Sequence, residues 1–381
     1  MIDRQVRALT PERSTIGGSL GRRLAEEIRA DADMPAYSRS AIDGYALLEG
    51  SAPGWFRLAG EVRPGMPAFA APGAGEAVKI FTGSALPESG IGLVMVEDTV
   101  SEAESVLIRA PATRRHVRFK GSQARRGDVL LAVGEVVNAA TVALLASVGA
   151  TRPLISPQVR AAHLVTGSEL VPADTEPPSG FIRDSNSPLV SALLAEAGAK
   201  RTFHRHVSES VEEAVAALKS ADADLLLISG GASVGAYDGT MEILARLGFA
   251  VHCSKVNSRP GKPLIFATRG PCAAFGLPGN PLSHFVCFHL FVRRAIDVMS
   301  GRSPQQTISV RIEGDPPQSD PRETWWPATV RARDTQLVAR ALPWKDSSDL
   351  TGLARANALL RIGSGATNGL VAALLFGSLE G

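Results

Sequence analysis

At 381 residues the chain exceeds what one hydrophobic core normally serves, so several domains are expected. An apolar fraction of 45% with 20% charged residues excludes a disordered chain. A net charge of +2 excludes wholesale nucleic-acid binding, so any anion site must gather cations and backbone N–H groups locally and its guest is small. The three cysteines, Cys253, Cys272 and Cys287, are odd in number and fit no zinc-finger or Cys-x-x-Cys pattern. They read as buried small hydrophobes in a reducing compartment. The opening Asp3, Arg4 and Arg7 do not read as a secretory signal, and no uncharged run reaches the roughly 18 residues of a spanning helix, so the cytoplasm is expected and no membrane.

In chain order, Ile16, Leu20, Leu24 and Ile28 recur every four residues among Arg and Glu, which predicts one amphipathic helix ending before Met34-Pro35. From Tyr45 to Leu131 short apolar runs such as Ala77 to Phe81 and Leu93 to Val96 alternate with turn residues, the grammar of a β-rich domain. Leu144, Leu145 and Val148 then predict a helix closing at Gly149. Residues 1–44 and 132–156 thus read as a small helical domain into which a β-rich domain, 45–131, is inserted. From Val159 to Val165 a strand is expected, then a helix capped by Ser187 with Pro188 in its first position, burying Leu189, Leu193 and Leu194 and stopping at Gly198. A helix with Val211, Val215 and Leu218 on one face follows. Leu225 to Ile228 is apolar on both faces, as a covered central strand should be. The last unit is a strand from Cys272 to Phe275 and a helix entered through Asn280-Pro281. Repeated βα units over 157–303 imply a doubly wound α/β domain. After Ser303, Trp325, Trp326 and Pro327 lie in a final small β domain, 304–381.

Ligands of such sheets sit where strands run out into helices. Four loops therefore matter: Thr166 to Glu169, Gly230 to Asp238, Lys255 to Lys262 and Gly276 to Pro281. In Gly230-Gly231-Ala232-Ser233-Val234-Gly235 the glycines let backbone N–H groups turn inward before a helix N-terminus, which suits an oxyanion; a tight βα turn accounts for them equally well. The segment Lys255 to Pro263 gathers Lys255, Arg259 and Lys262 around a Pro-Gly turn. Such a run is commonly a solvated loop, but fixed cations suit a pyrophosphate. Gly276-Leu277-Pro278-Gly279-Asn280-Pro281 alone reads as a helix start. Asp43, Glu169 and Asp238 are candidate carboxylates for Mg²⁺ beside a bound anhydride, and Thr82 offers a turn hydroxyl. His204 and His206 share a strand face, but with no third ligand at a defensible spacing they read as surface or packing residues rather than a zinc site.

Taken in order, Ser40-Ala41-Ile42-Asp43-Gly44-Tyr45-Ala46, Thr82-Gly83, Thr166-Gly167-Ser168-Glu169-Leu170, Asp184-Ser185-Asn186, Ser229 to Gly235, Pro260-Gly261-Lys262-Pro263, Gly276 to Pro281, Ser348-Asp349-Leu350 and Ala356-Asn357 resemble the molybdopterin molybdenumtransferase family over nearly the whole chain. The resemblance implies a four-domain homodimer, ending in a small β-barrel domain, with its active cleft between subunits. It implies a reaction in which adenylylated molybdopterin and molybdate react with the help of Mg²⁺ and AMP leaves. It also implies a transient contact with the adenylyltransferase that precedes this step. By the same resemblance Asp43, Thr82, Glu169 and Asp238 are the catalytic residues, the three carboxylates holding metal. Asn186, Gly230, Gly231, Ser233, Gly235, Lys255, Arg259, Lys262, Pro278, Gly279, Asn280 and Pro281 bind the pterin nucleotide. Three positions depart from the pattern: Ser168 and Ser208 stand where acids are usual, and Arg259 replaces a common lysine with a planar fork that is not its equivalent.

A second reading, motivated by those missing acids, is a non-catalytic carrier of molybdopterin. A third, the preceding adenylyltransferase, shares the α/β domain but lacks the Asp43 segment and the C-terminal β portion, both present here.

Overall fold

The computed structural model describes residues 1–230, 234–315, 317, 320–363 and 369–379, with the backbone alone for 234–238. It divides into two compact units, residues 13–20 with 24–154, and residues 1–12 with 21–23 and 155–381.

The helix expected over Ile16 to Ile28 does not form. Gly17–Ser19 make one 3-10 turn and Ile28–Arg29 a short strand, while Leu20 is left 60% exposed. Apolar spacing favours a helix there, but Gly17, Gly18 and Gly21, the last at φ +76°, carry the largest conformational-entropy cost of helix formation of any residue type.

In the unit containing 24–154, strands β1 (Gly44–Leu48), β2 (Gly54–Val62), β3 (Glu76–Ile80), β4 (Ile91–Met95), β5 (Thr99–Glu102) and β6 (Ser105–Ile108) form one sheet in the order β4-β1-β3-β2-β6-β5. Only β2 and β3 run parallel. Alternation puts Ala46, Val78, Ile80 and Leu93 in one buried cluster and Tyr45, Leu47, Ala77 and Val94 in another, so both faces of the sheet are covered. Helix α1 (Ala139–Ser147) is capped by Asn138, whose Oδ1 accepts the Thr141 N–H at 2.9 Å, and the chain leaves it through Gly149 as expected.

The second unit carries the α/β domain. Its sheet has the order β8-β7-β9-β13-β12-β10, from β7 (Arg160–Thr166), β8 (Lys200–Val207), β9 (Leu225–Ser229), β10 (Ala250–Cys253), β12 (Ile265–Arg269) and β13 (Cys272–Leu277). The first four strands are parallel, and β12 and β10 add an antiparallel edge. Helices α2 (Asn186–Glu196), α5 (Pro281–Cys287) and α6 (Arg293–Met299) contribute Val190, Leu193, Phe285 and Ile296 to the cluster on one face. Helices α3 (Val211–Leu218) and α4 (Val234–Arg246) supply Val215, Leu218, Ile243 and Leu244 to the cluster on the other. The domain is therefore doubly wound, as the alternating βα grammar requires. Helix α2 begins earlier than expected. Asp184, not Ser187, caps it: Asp184 Oδ1 accepts the Ser187 N–H at 2.9 Å and Oδ2 accepts the Ser187 hydroxyl. A carboxylate can take both donors at once, and its charge suits the helix N-terminus.

Beyond the α/β domain, β15 (Glu323–Arg333), β16 (Gln336–Ala341), β14 (Ile308–Ile312), β18 (Leu370–Leu375) and β17 (Ala358–Ile362) pair in that order, and β17 returns to β15, closing a five-stranded barrel. Val310, Val330, Ala339 and Leu360 fill it. The buried Asn357 side chain accepts the Val330 N–H at 2.7 Å and donates to Val330 O at 2.8 Å, fastening the barrel's end. Strand β11 (Ser258–Arg259) reaches from the α/β domain and pairs in parallel with Glu323–Thr324 of β15.

All three cysteines are free. Cys287 is buried as expected, but Cys253 and Cys272 are only half-buried, because β10 is an edge strand and Cys272 opens β13. No helix among the described residues is long and apolar enough to cross a membrane.

Candidate functional site

A cavity of about 400 Å³ opens where the parallel strands β9 and β13 run out, and it continues onto the barrel. From the α/β side it is lined by Gly230 after β9, by Arg259 to Pro263, and by Gly276 to Asn280 after β13. The barrel side is lined by Arg322 and by Trp344 to Ser347. Four cations, Arg259, Lys262, Arg322 and Lys345, thus border one space with a single carboxylate among its described lining residues, Asp346. That balance suits a multiply charged anion.

Side chains behind the α/β wall hold it in place. The carboxamide of Asn186 donates from Nδ2 to Gly279 O at 2.7 Å, and the ring of His284 donates from Nδ1 to Pro278 O at 3.3 Å. His163, on β7, shares a 2.7 Å hydrogen bond with the hydroxyl of Ser229, the residue before Gly230, and stacks on His204. Burial pushes the His284 imidazole down to about 4, and burial with the neighbouring His284 and His204 pushes His163 well below the usual histidine range. Both rings therefore stay neutral near neutral pH. Gly261, at φ +100°, lies against the Sγ of buried Cys287, and a Cβ there would stand 2.6 Å from it. Only glycine lets the Pro260-Gly261-Lys262 turn lie that close to α5.

The two walls are joined. Asn280 donates from Nδ2 to Ser347 Oγ at 2.6 Å, and Ser347 O accepts the Leu282 N–H at 3.1 Å at the start of α5. Asp320, beside the cavity on the barrel side, pairs with both Arg259 and Arg322.

Of the residues expected to bind the pterin nucleotide, Gly230, Arg259, Lys262, Pro278, Gly279 and Asn280 line this cavity. Asn186 acts one layer back. Lys255 is exposed and Pro281, the first residue of α5, is half-buried; neither is among the lining residues. Glu169 sits half-buried on the loop after β7, its carbonyl accepting the Ile182 N–H at 2.9 Å, and is also not a lining residue. Gly231 and Ser233 lie outside the described residues, as does the side chain of Asp238, while the backbone of Gly235 and Asp238 opens α4. Asp43 and Thr82 lie in the other unit and bind one another: Asp43 Oδ1 accepts the Thr82 N–H at 2.7 Å and its hydroxyl at 3.0 Å. Gly44 follows Asp43 because a Cβ would meet Val94 O at 2.0 Å. His206 meets Gly167 O at 2.8 Å and His204 packs on His163, so both histidines have packing partners. Among the described residues no group of three His, Cys, Asp or Glu is placed to hold a metal ion.

Sequence reasoning missed the barrel wall. Trp344, Lys345, Asp346 and Ser347 immediately precede the Ser348-Asp349-Leu350 string, and that adjacency was the available signal; Arg322 had none.

The profile described as MoeA N-terminal region (domain I and II) matches residues 1–149, and the one described as probable molybdopterin binding domain matches residues 162–297. The chain is 33% identical over 364 residues to a molybdopterin molybdenumtransferase of Bacillus subtilis, covering 91% of this chain and 84% of that one. It is 30% identical to a molybdopterin molybdenumtransferase of Staphylococcus aureus, covering 91% and 86%. A crystal structure of a molybdopterin biosynthesis MoeA protein from Pyrococcus horikoshii superposes with a TM-score of 0.80 at 25% identity, over 99% of this chain and 97% of that one. With motifs, fold and relatives in agreement along its length, the chain belongs to the molybdopterin molybdenumtransferase family.

Proposed function

We propose that this chain transfers molybdenum from molybdate to the dithiolene of adenylylated molybdopterin, releasing AMP, in molybdenum cofactor biosynthesis. The observation that carries the reading is the cavity bordered by Arg259, Lys262, Arg322 and Lys345 at the carboxyl ends of β9 and β13. Molybdate is a tetrahedral dianion that must approach an already anionic pyrophosphate. Their repulsion is offset by fixed cations and inward-turned N–H dipoles, which act at full strength because they need no reorganisation as the reaction proceeds. In this reading Lys262 and the two arginines seat the oxyanion, while the Gly276 to Asn280 loop, fixed by Asn186 and His284, shapes the wall against which the pterin lies.

Mg²⁺ belongs to the proposal. Both hydrogen bonds to Asp43 fall on Oδ1, leaving Oδ2 of this exposed carboxylate for a hydrated cation, and Mg²⁺ characteristically takes one or two carboxylates, several waters and phosphate oxygens. Asp43 would hold it in its own unit, with Thr82 orienting the carboxylate, and in the α/β domain Glu169 and Asp238 are the carboxylates on offer. When bound, the cation neutralises charge on the phosphoanhydride. The same reading has the chain act as a homodimer in the cytoplasm, in transient contact with the adenylyltransferase, and the three unpaired thiols accord with a reducing compartment.

The experiment is AMP release from adenylylated molybdopterin mixed with molybdate, Mg²⁺ and the purified chain. Wild-type protein is expected to release AMP stoichiometrically with substrate consumed, and Asp43→Ala to slow release by about a hundredfold or more. Tight binding of the pterin without AMP release would make the chain a carrier instead.

A further inference from the structure

Asp320 bonds two cations of the cavity wall at once. Its Oδ2 accepts from Arg259 Nη1 at 2.8 Å and from Arg322 Nη2 at 3.3 Å. Its Oδ1 accepts from Arg322 Nε at 3.0 Å and from the Arg322 backbone N–H at 2.9 Å. The Arg259 guanidinium also lies over the Trp344 ring, 5.3 Å from its centroid. Because β11 pairs with Glu323–Thr324, Arg259 on β11 and Arg322 just before β15 come side by side and would repel each other without a shared anion. A guanidinium presents its donors in a rigid fork, so fixing one edge aims the rest. The bonds to Asp320 leave Nε and Nη2 of Arg259 and Nη1 of Arg322 for a guest.

We propose that Asp320 is a positioning residue: by clamping Arg259 and Arg322 side by side it sets the spacing and orientation of the two guanidiniums that a tetrahedral oxyanion meets in the cavity. The proposal rests on the reading of this cavity as the molybdate site. It also accounts for an arginine at position 259. A lysine there would bring a point charge with no second edge, whereas the fork can bond Asp320 and the oxyanion together. The Arg322 side-chain and backbone donors, then the Arg259 charge, hold the Asp320 carboxyl down at about 2, so the clamp persists across the physiological range. Charge alone gives the opposite expectation for this residue. A carboxylate beside an anion site weakens binding, and its removal should then tighten it.

That difference in sign is the test. Molybdate binding by calorimetry and AMP release are measured for the full chain, Asp320→Asn, Asp320→Glu, Arg259→Ala/Arg322→Ala, and the triple variant that adds Asp320→Asn. Asp320→Asn is expected to raise both the molybdate Kd and its KM about tenfold, corresponding to about 1.4 kcal/mol, with kcat and the melting temperature changed far less. Asp320→Glu should recover part of the loss. In the background lacking both arginines, Asp320→Asn should add nothing. Equal or tighter molybdate binding by Asp320→Asn, or a loss that persists undiminished without the arginines, overturns the clamp. If wild-type protein takes up no molybdate at all, the oxyanion reading of the cavity falls, and the clamp's role falls with it.

Discussion

The two walls of the cavity are built by opposite means. On the α/β side the Gly276 to Asn280 loop and the Pro260-Gly261 turn are held from beneath: Asn186 bonds Gly279 O, buried His284 bonds Pro278 O, and buried Cys287 lies against Gly261. On the barrel side charged side chains hold each other: Arg322, and Arg259 reaching across from the α/β side, meet on Asp320, and both arginines are 38% exposed. Packing fixes the first wall and electrostatics the second. The first should therefore fail through stability and respond to acid, while the second should fail through affinity and leave the fold alone.

The sharpest way to break this contrast is Gly261→Ala. The added methyl meets Cys287 Sγ and the backbone must hold φ +100°, so a loss of about 2–4 kcal/mol in urea unfolding is expected, with partial recovery when Cys287→Ala is added. A Gly261→Ala protein as stable as wild type would show that this wall is not set by packing.

Acid provides the next largest effect. His284 is held at about 4 against an ordinary 6.5, and His163 is also depressed, so between these limits the unfolded chain binds protons that the native chain does not. Stability then rises with pH in that window and is lost as pH falls through it, by about 1 kcal/mol per histidine between pH 7 and pH 5.5. Unfolding free energies measured at a series of pH values should slope accordingly. A flat profile would mean that the α/β wall is not held by neutral imidazoles. The barrel wall should be indifferent over the same range, since Asp320 stays ionised.

The smallest effect on stability is expected from Arg322→Ala. Partly exposed ion pairs contribute little to folding, so the melting temperature should hardly move, yet molybdate affinity should fall about ten- to hundredfold and Asp320 would be left with one arginine to neutralise it. A marked loss of stability with affinity intact would reverse the assignment of roles to the two walls.

Much of this was readable from the chain itself. The alternating βα grammar placed β7, β9 and β13, and with them the Gly230 and Pro278 loops, because strand burial and helix stop signals are local patterns in residue type. Short-range glycine chemistry also decided the ends of α1 and α2 at Gly149 and Gly198. The same local rules failed at Ile16 to Ile28, where apolar spacing was right for a helix and three glycines were not. They also named Ser187 as a cap when Asp184, three residues earlier, could accept two donors.

What only the tertiary structure decided is which distant residues share the cavity. Nothing near Arg322 or Asp320 in sequence marks them as partners of Arg259, some sixty positions earlier. They meet because a two-residue strand crosses to the barrel and pairs with β15. A periodic pattern reports which face of an element avoids water, a property each residue carries with it. The convergence of charges from separate domains depends on loop closure and register, which belong to no single stretch of chain.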